Sequence, residues 1–410
     1  MWSVREQYEL QGTILKERLE KLMPRLMREC GVEMWLVLSR EYDEDPLFKT
    51  MVPPLVKNAG RTTCLAFVLD RDGSFEALNV SRPNDRFEGY YKQAMQRGDD
   101  IFQAINHLIA RRKPGRVHVD VSNECPMADG LSKTLYDQLR VATNGGVQLV
   151  SAEEIAIRWI ETRTRREMEL YPGIYKLMMD IVDDAFSAKV ILPGVTGTRD
   201  VEWYIMQRVN ELGLPFWFSP DVDLQRQGEA DPRISGAVIR PGDIVHCDVG
   251  LACLGLHTDT QRNLYIGREG ETEIPAGIQA AYRTGCRFQD IVRGCFEAGK
   301  TGNEILARAL SQAEKEGIEA MCYCHPIGLF GHSAGPCVGL FDNQKFVPGH
   351  GECLMHEDTC YALELNISQS VPEWGGQKAC MMMEETIAFT GGKTRFMDDK
   401  REILRFLPAQ

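Results

Sequence analysis

No stretch of this 410-residue chain approaches 18 consecutive apolar residues, so no transmembrane helix is expected. The opening segment, MWSVREQYELQGTILKERLEKLM, is charged throughout and lacks the apolar centre of a secretory leader, so none is expected either. Positive charge is in short supply. Against 59 Asp and Glu there are 47 Lys and Arg, a net charge of -12 that disfavours nucleic acid and anionic membranes as partners. Cysteine is not scarce, but its pairing signals are. None of the 13 forms a CxxC pair, and Cys322 and Cys324 make only a CxC, which fits reduced, buried thiols in a cytoplasmic protein. Tandem repeats and low-complexity runs are also lacking.

What is there is a chain long enough for two domains, with 43% hydrophobic residues to build their cores. Residues 12–30 carry apolar side chains at helical spacing (Leu15, Leu19, Leu22, Leu26). MWLVLS (34–39) has the composition of a buried strand, and residues 62–80 form a hairpin around Asp-Arg-Asp-Gly. Helices are expected near 87–97, 100–112 and 129–140, with strands at 116–122 and 147–152, which makes an α/β domain. A long helix from about Arg165 to Lys189 follows, and then, within 191–214, a Pro-Gly turn, a Thr cap and a second helix. From 215 the texture turns to strands, interrupted by a helix-rich segment at 276–316. The boundary falls near 155–160, giving domains 1–157 and 158–410.

The second half contains five hard-metal ligands in order: Asp248, Asp259, His332, Glu364 and Glu384. Asp248 and Asp259 lie on two strands joined by a turn around Leu254-Gly255, so their carboxylates are expected to face one side across a hairpin. Glu364 (TCYALELNI) and Glu384 (ACMMMEETIAF) interrupt apolar strands, where a carboxylate is costly unless it is paired or bound to metal. Glu385 points away from Glu384, toward solvent or a salt bridge. His332 is flanked by Gly331 and by Ser333-Ala334-Gly335, small residues that permit close approach to the imidazole. Four carboxylates and one imidazole suit Mn²⁺, Zn²⁺, Co²⁺ or Fe²⁺ and can hold two ions a few Å apart.

In combination, the order Asp, Asp eleven positions on, Gly-His, Glu, Glu resembles the pita-bread metallopeptidases. That family includes methionine aminopeptidase, aminopeptidase P, the Xaa-Pro dipeptidases and the creatinases. The segment RTRREMELYPGIYKLMMDIVDDAFSAKVILPGVTGTRDVEW is similar to the family's first two helices, and residues 1–155 to the creatinase-type N-terminal domain. The resemblance implies an α/β (α+β) chain: a creatinase-like domain, then a pita-bread catalytic domain with a curved, mostly antiparallel sheet backed by helices. It implies two divalent ions, Mn²⁺ foremost. Asp248 would chelate one ion, Asp259 and Glu384 would bridge the pair, and His332 and Glu364 would bind the second. His332 and Glu364 are then the expected catalytic residues, with Glu364 taking the proton of the nucleophile. The activity implied is that of an Xaa-Pro dipeptidase or aminopeptidase acting on a peptide or small amide, in a cytoplasmic homodimer.

The chain departs from the family pattern in two places. Counted from His332, the position seven residues on, usually a second histidine, is Gly339. The stretch FWFSPDVDLQRQG upstream of Asp248 has no histidine either. These departures keep open a hydrolase of a small non-peptide C–N compound on the same site. A non-catalytic pita-bread binding protein is a third reading, which retention of all five ligands opposes. Candidate replacements in substrate contact are His325, His257, Arg226 and Phe341, with Trp217 and Phe218 as an apolar wall. His246 and His257 share strand faces with Asp248 and Asp259.

Overall fold

The computed structural model describes residues 2–398 and 400–409. The chain divides into two compact units, Met1–Ile160 and Glu161–Gln410.

The first unit is built on a six-stranded mixed sheet. Its strands are β1 (Met34–Arg40), β2 (Thr62–Leu69), β3 (Phe75–Asn79), β4 (Lys92–Gln93), β5 (Arg116–Val119) and β6 (Gln148–Ser151), in the order β4-β3-β2-β1-β5-β6. β1 lies inside the sheet, antiparallel to β2 and parallel to β5, which is why MWLVL is apolar on both faces. Helices Ile101–Arg112 and Lys133–Thr143 pack Ile105, Leu108, Leu135 and Leu139 against the alternate residues Met34, Leu36 and Leu38. The helix expected at 87–97 is absent. Gly89 adopts a left-handed φ of 77°, and β4 adds to the sheet edge beside β3. The Gln93 amide fixes this segment by donating to the Ser81 and Met95 carbonyls, both at 2.7 Å.

Two carboxyl groups are buried together in this unit. Asp45 and Asp120 are each 1% exposed. Asp120 Oδ1 accepts from Trp35 Nε1 at 2.7 Å, and Asp45 Oδ1 accepts from the Leu47 amide at 2.8 Å. Asp45 Oδ2 and Asp120 Oδ2 find no donor when both groups are ionised, but one proton shared between them satisfies both. Burial is the main cause that pushes Asp45 up to about 6 and Asp120 well above the usual range.

The second unit opens with helices Arg165–Ala185 and Thr198–Glu211. Thr164 and Glu167 cap the first of them reciprocally. Next come β7 (Asp221–Gln225), β8 (Ile234–Ser235), β9 (Ile244–Val249), β10 (Ala252–Cys253), β11 (Leu256–His257) and β12 (Thr260–Ile266). Helices Ala276–Gly294 and Gly302–Lys315 precede β13 (Glu319–Cys322), β14 (His325–Pro326), β15 (Thr359–Ser370), β16 (Lys378–Thr390), β17 (Lys393–Phe396) and β18 (Arg405–Leu407). The main sheet runs β13-β15-β16-β12-β9-β7-β8, with β14 on β15, β17 on β16 and β18 on β12. Apart from β18 on β12, its pairs are antiparallel, and the sheet curls into a half-barrel, the pita-bread fold.

Alternation along β15 and β16 sorts chemistry from packing. Odd-numbered Leu363, Leu365, Met381 and Met383 join Ile278, Phe288 and Ile305 of the backing helices in the core. Even-numbered Glu364 and Glu384 therefore face the other way. Glu385 follows the odd side. It is buried in an ion pair with Arg262 at 2.8 Å and accepts from the Tyr175 hydroxyl at 2.7 Å.

Candidate metal centre

Strand register places one residue from each of five neighbouring strands in a row: Asp221, Asp248, Gln261, Glu384 and Glu364, on β7, β9, β12, β16 and β15. Glu364 and Glu384 are directly opposed, an arrangement of like charges that destabilises a sheet unless something positive lies between them. Asp248 is opposed by Gln261 and not, as expected, by Asp259. The reason is the turn. Leu254 and Gly255 both have positive φ, 56° and 81°, and form a two-residue hairpin turn. Pairing outward from that turn carries Asp248 to Gln261. Asp259, two residues before Gln261, shares its face without facing Asp248.

The imidazole at this site belongs to His325. β14 hydrogen-bonds to β15 with His325 opposite Ala362, two residues from Glu364, which brings the ring onto the carboxylate face. His325 Nε2 lies 3.6 Å from Asp259 Oδ2 and 3.8 Å from Glu384 Oε1. Ligand atoms of these three buried residues lie within 4.8 Å of one another. His332, expected in this position, is outside that group. It follows the Gly328–Gly331 loop and packs edge-on to His325, with ring centroids 4.6 Å apart and the Trp217 ring 5.1 Å away on another side. The small residue before it serves the indole: a Cβ on Gly331 would fall 2.2 Å from Trp217. Because His332 stands seven positions after His325, the spacing that was missing when counted from His332 is present when counted from His325.

The hydrogen bonds define what this site lacks. His325 Nδ1 is 3.0 Å from the Pro326 carbonyl oxygen, an acceptor, so Nδ1 carries the proton and donates it there. Nε2 then presents a lone pair to two carboxylates that present lone pairs of their own. His325 Nε2, Asp248 Oδ1, Asp259 Oδ1 and both Glu384 oxygens are buried without any hydrogen-bond partner. Five acceptors without a donor are the donor set of a divalent cation, and the residues present fit one. Without a cation the carboxyl groups hold protons instead. Burial pushes Asp259 up to about 7 and Glu364 up to about 8. Burial, then the charges of Asp259, Glu364 and Asp248, raises Glu384 well above its ordinary value. Burial, followed by Asp259, does the same to Asp248. Both imidazoles are lowered, His325 by burial and His332 by burial and then by His325, although His332 keeps one side open to solvent.

Three other expected contacts are placed as follows. The Arg226 guanidinium is engaged by both oxygens of Asp243, each at 2.8 Å, and donates to the Val238 carbonyl. It is also five residues beyond Asp221 on the same chain segment, about 16 Å along an extended strand, and anchors a loop there instead of facing the carboxylates. Phe341 is 65% exposed and lies edge-on to Tyr323, with centroids 5.5 Å apart. The amide of Tyr323 donates to the Glu364 carbonyl, so Phe341 borders the site through that ring. His257 Nδ1 is 3.1 Å from the Gly328 carbonyl, and its ring is 6.5 Å from Trp217. Trp217 Nε1 donates to the Thr258 carbonyl at 2.9 Å. The sequence signal for Gln261 is its position two residues after Asp259, which puts it on the same strand face.

Comparison with known proteins bears on the fold and the family. No curated protein sequence matches the chain. The fold is shared with X-Pro aminopeptidase from Thermotoga maritima, at 14% identity and a TM-score of 0.67 over 93% of this chain and 100% of that one. It is shared with Xaa-Pro dipeptidase from Bacillus anthracis, at 15% identity and a TM-score of 0.62 over 99% and 100%. Prolidase from Pyrococcus furiosus aligns at 14% identity with a TM-score of 0.57 over 93% and 98%. The model of metallopeptidase family M24 matches residues 174–391, which contain every carboxylate and imidazole of the site. The chain belongs to metallopeptidase family M24.

Proposed function

We propose that the protein is a divalent-metal-dependent peptidase that removes the residue preceding proline, as an Xaa-Pro dipeptidase or aminopeptidase. The observation that carries the reading is the bare Nε2 of His325 facing Asp259 Oδ2 and the unpartnered Oε1 of Glu384. Asp248, Asp259, His325, Glu364 and Glu384 would hold two divalent ions, with Mn²⁺ the first choice for a carboxylate-rich set. Ions bound there supply Lewis-acid polarisation of the scissile carbonyl and hydroxide at neutral pH. Glu364 would accept a proton from water at its carboxylate and return it to the leaving nitrogen. His332, neutral and one ring beyond His325, offers an N–H to the carbonyl oxygen as it gains charge. Trp217 and Phe218, edge-on at 4.5 Å, form the apolar wall beside it and limit water.

The Xaa-Pro preference is supported by the likeness to proteins so named and by the His325–His332 spacing. The test is a panel of Xaa-Pro dipeptides, Xaa-Pro-containing tripeptides and non-proline peptides offered to Mn²⁺-loaded protein. Release of the residue before proline is expected. Hydrolysis confined to non-peptide C–N compounds would move the protein to another substrate class. The thirteen free thiols support a reducing, cytosolic compartment, and the family resemblance supports a homodimer, which light scattering tests at twice the 46.3 kDa chain mass.

A further inference from the structure

Gln261 occupies the middle of the carboxylate row, yet the ligand set gives it no part. Its side chain is 5% exposed. Nε2 donates to Glu364 Oε1 at 2.6 Å and to Asp248 Oδ2 at 3.3 Å, so both amide hydrogens are used on carboxylates that stand on either side of it. Oε1 lies 3.2 Å from His246 Nε2, and His246 Nδ1 lies 3.4 Å from Asp223 Oδ2. Asp223 Oδ2 in turn accepts from Arg233 Nε at 2.7 Å. Burial pushes Asp223 up, but His246 and then Arg233 outweigh it and hold the group below the usual carboxylate range.

This chain of contacts permits one orientation of the amide. Rotated by 180°, Oε1 would face the Asp248 and Glu364 carboxylates, and both would lose the N–H groups they now accept from. One oxygen of Asp248 and one of Glu364 are thereby occupied, while Asp248 Oδ1 is left without a partner. We propose that Gln261 is a positioning residue of the metal centre. Resting on the metal reading above, its amide, oriented by the line Arg233–Asp223–His246, pins one oxygen of Asp248 and one of Glu364 and turns their remaining oxygens toward the ions. Outer hydrogen bonds of this kind raise metal affinity about 10- to 100-fold.

The test is calorimetric titration of Mn²⁺ into metal-stripped, full-length protein. Gln261→Met keeps length and volume but removes the amide, and is expected to weaken binding about 10-fold or more. His246→Phe is expected to weaken binding less, and the double variant to bind like Gln261→Met alone, because His246 acts through the amide. Gln261→Asn, with an amide on a shorter stem, is expected to fall between wild type and Gln261→Met, and carries the comparison if the Met variant does not fold. Binding by Gln261→Met or Gln261→Asn that equals wild type overturns the proposal, as does a double variant whose loss is the product of the two single losses. Failure of wild type to take up Mn²⁺ at all is a separate result: it overturns the metal reading and this inference with it.

Discussion

Glu384→Gln is expected to abolish divalent-ion uptake and to lower hydrolysis by more than about 100-fold, the upper end for loss of an outer hydrogen-bond partner alone. The same change is expected to raise the melting temperature of the metal-free protein at pH 8. The two effects have opposite signs because Glu384 is costly without metal. Carboxyl groups of an unfolded chain titrate near pH 4. In the folded, metal-free site Asp259 is raised to about 7 and Glu364 to about 8, with Glu384 raised well above its ordinary value. The native state thus binds more protons than the unfolded chain. Stability from these groups is fully present below about pH 4 and is lost as pH rises through 7 to 8. Glutamine removes one of the mutually repelling charges, and its amide can donate to the neighbouring carboxylates. In wild type, Mn²⁺ at about 100 times its dissociation constant adds roughly 2.7 kcal/mol of stability; in the variant it adds none. Thermal melts at pH 5 and 8, with and without Mn²⁺, read all four states. A Glu384 that only packs would melt lower in every one of them.

The second large effect belongs to the Met1–Ile160 unit, which contributes none of the proposed metal ligands. Asp45→Asn is expected to stabilise the Met1–Ile160 unit at pH 8 by about 2 kcal/mol and to leave it nearly unchanged at pH 4. Asp45 is held at about 6 in the folded unit. A raised acid contributes stability below the unfolded value near 4, which is lost as pH climbs through about 6. Asparagine retains the oxygen that accepts from Leu47 and supplies a permanent N–H to Asp120 Oδ2, where wild type depends on a proton. Hydrogen-exchange protection of β1 and β5 reports on this unit directly, and 2 kcal/mol corresponds to about 30-fold in protection. A variant less protected than wild type at pH 8 would show that the two carboxyls are not sharing a proton.

The sequence carried the acidic half of the site because burial and charge conflict locally. Glu364 and Glu384 interrupt strands that are otherwise largely apolar, and that conflict needs no tertiary information. The histidine did not follow from the same kind of signal. Glycine beside His332 marks a close approach, but what approaches is Trp217. His325 reaches the carboxylates through a two-residue strand paired with β15, a long-range contact that leaves no periodicity behind. The Asp248–Asp259 pairing failed for a simpler reason. The turn at Leu254-Gly255 was visible, and counting outward from it leads to Gln261. The helix expected at 87–97 was lost to Gly89 and to edge pairing with β3.

Anomalous diffraction from Mn²⁺-loaded crystals of the full chain tests the central claim most directly. Anomalous density is expected bonded to His325 Nε2, Asp259 and Glu384, with a second peak on the Asp248 side of the row. Density bonded to His332 with His325 turned away, or loaded and active protein with no peak among these carboxylates, would contradict it.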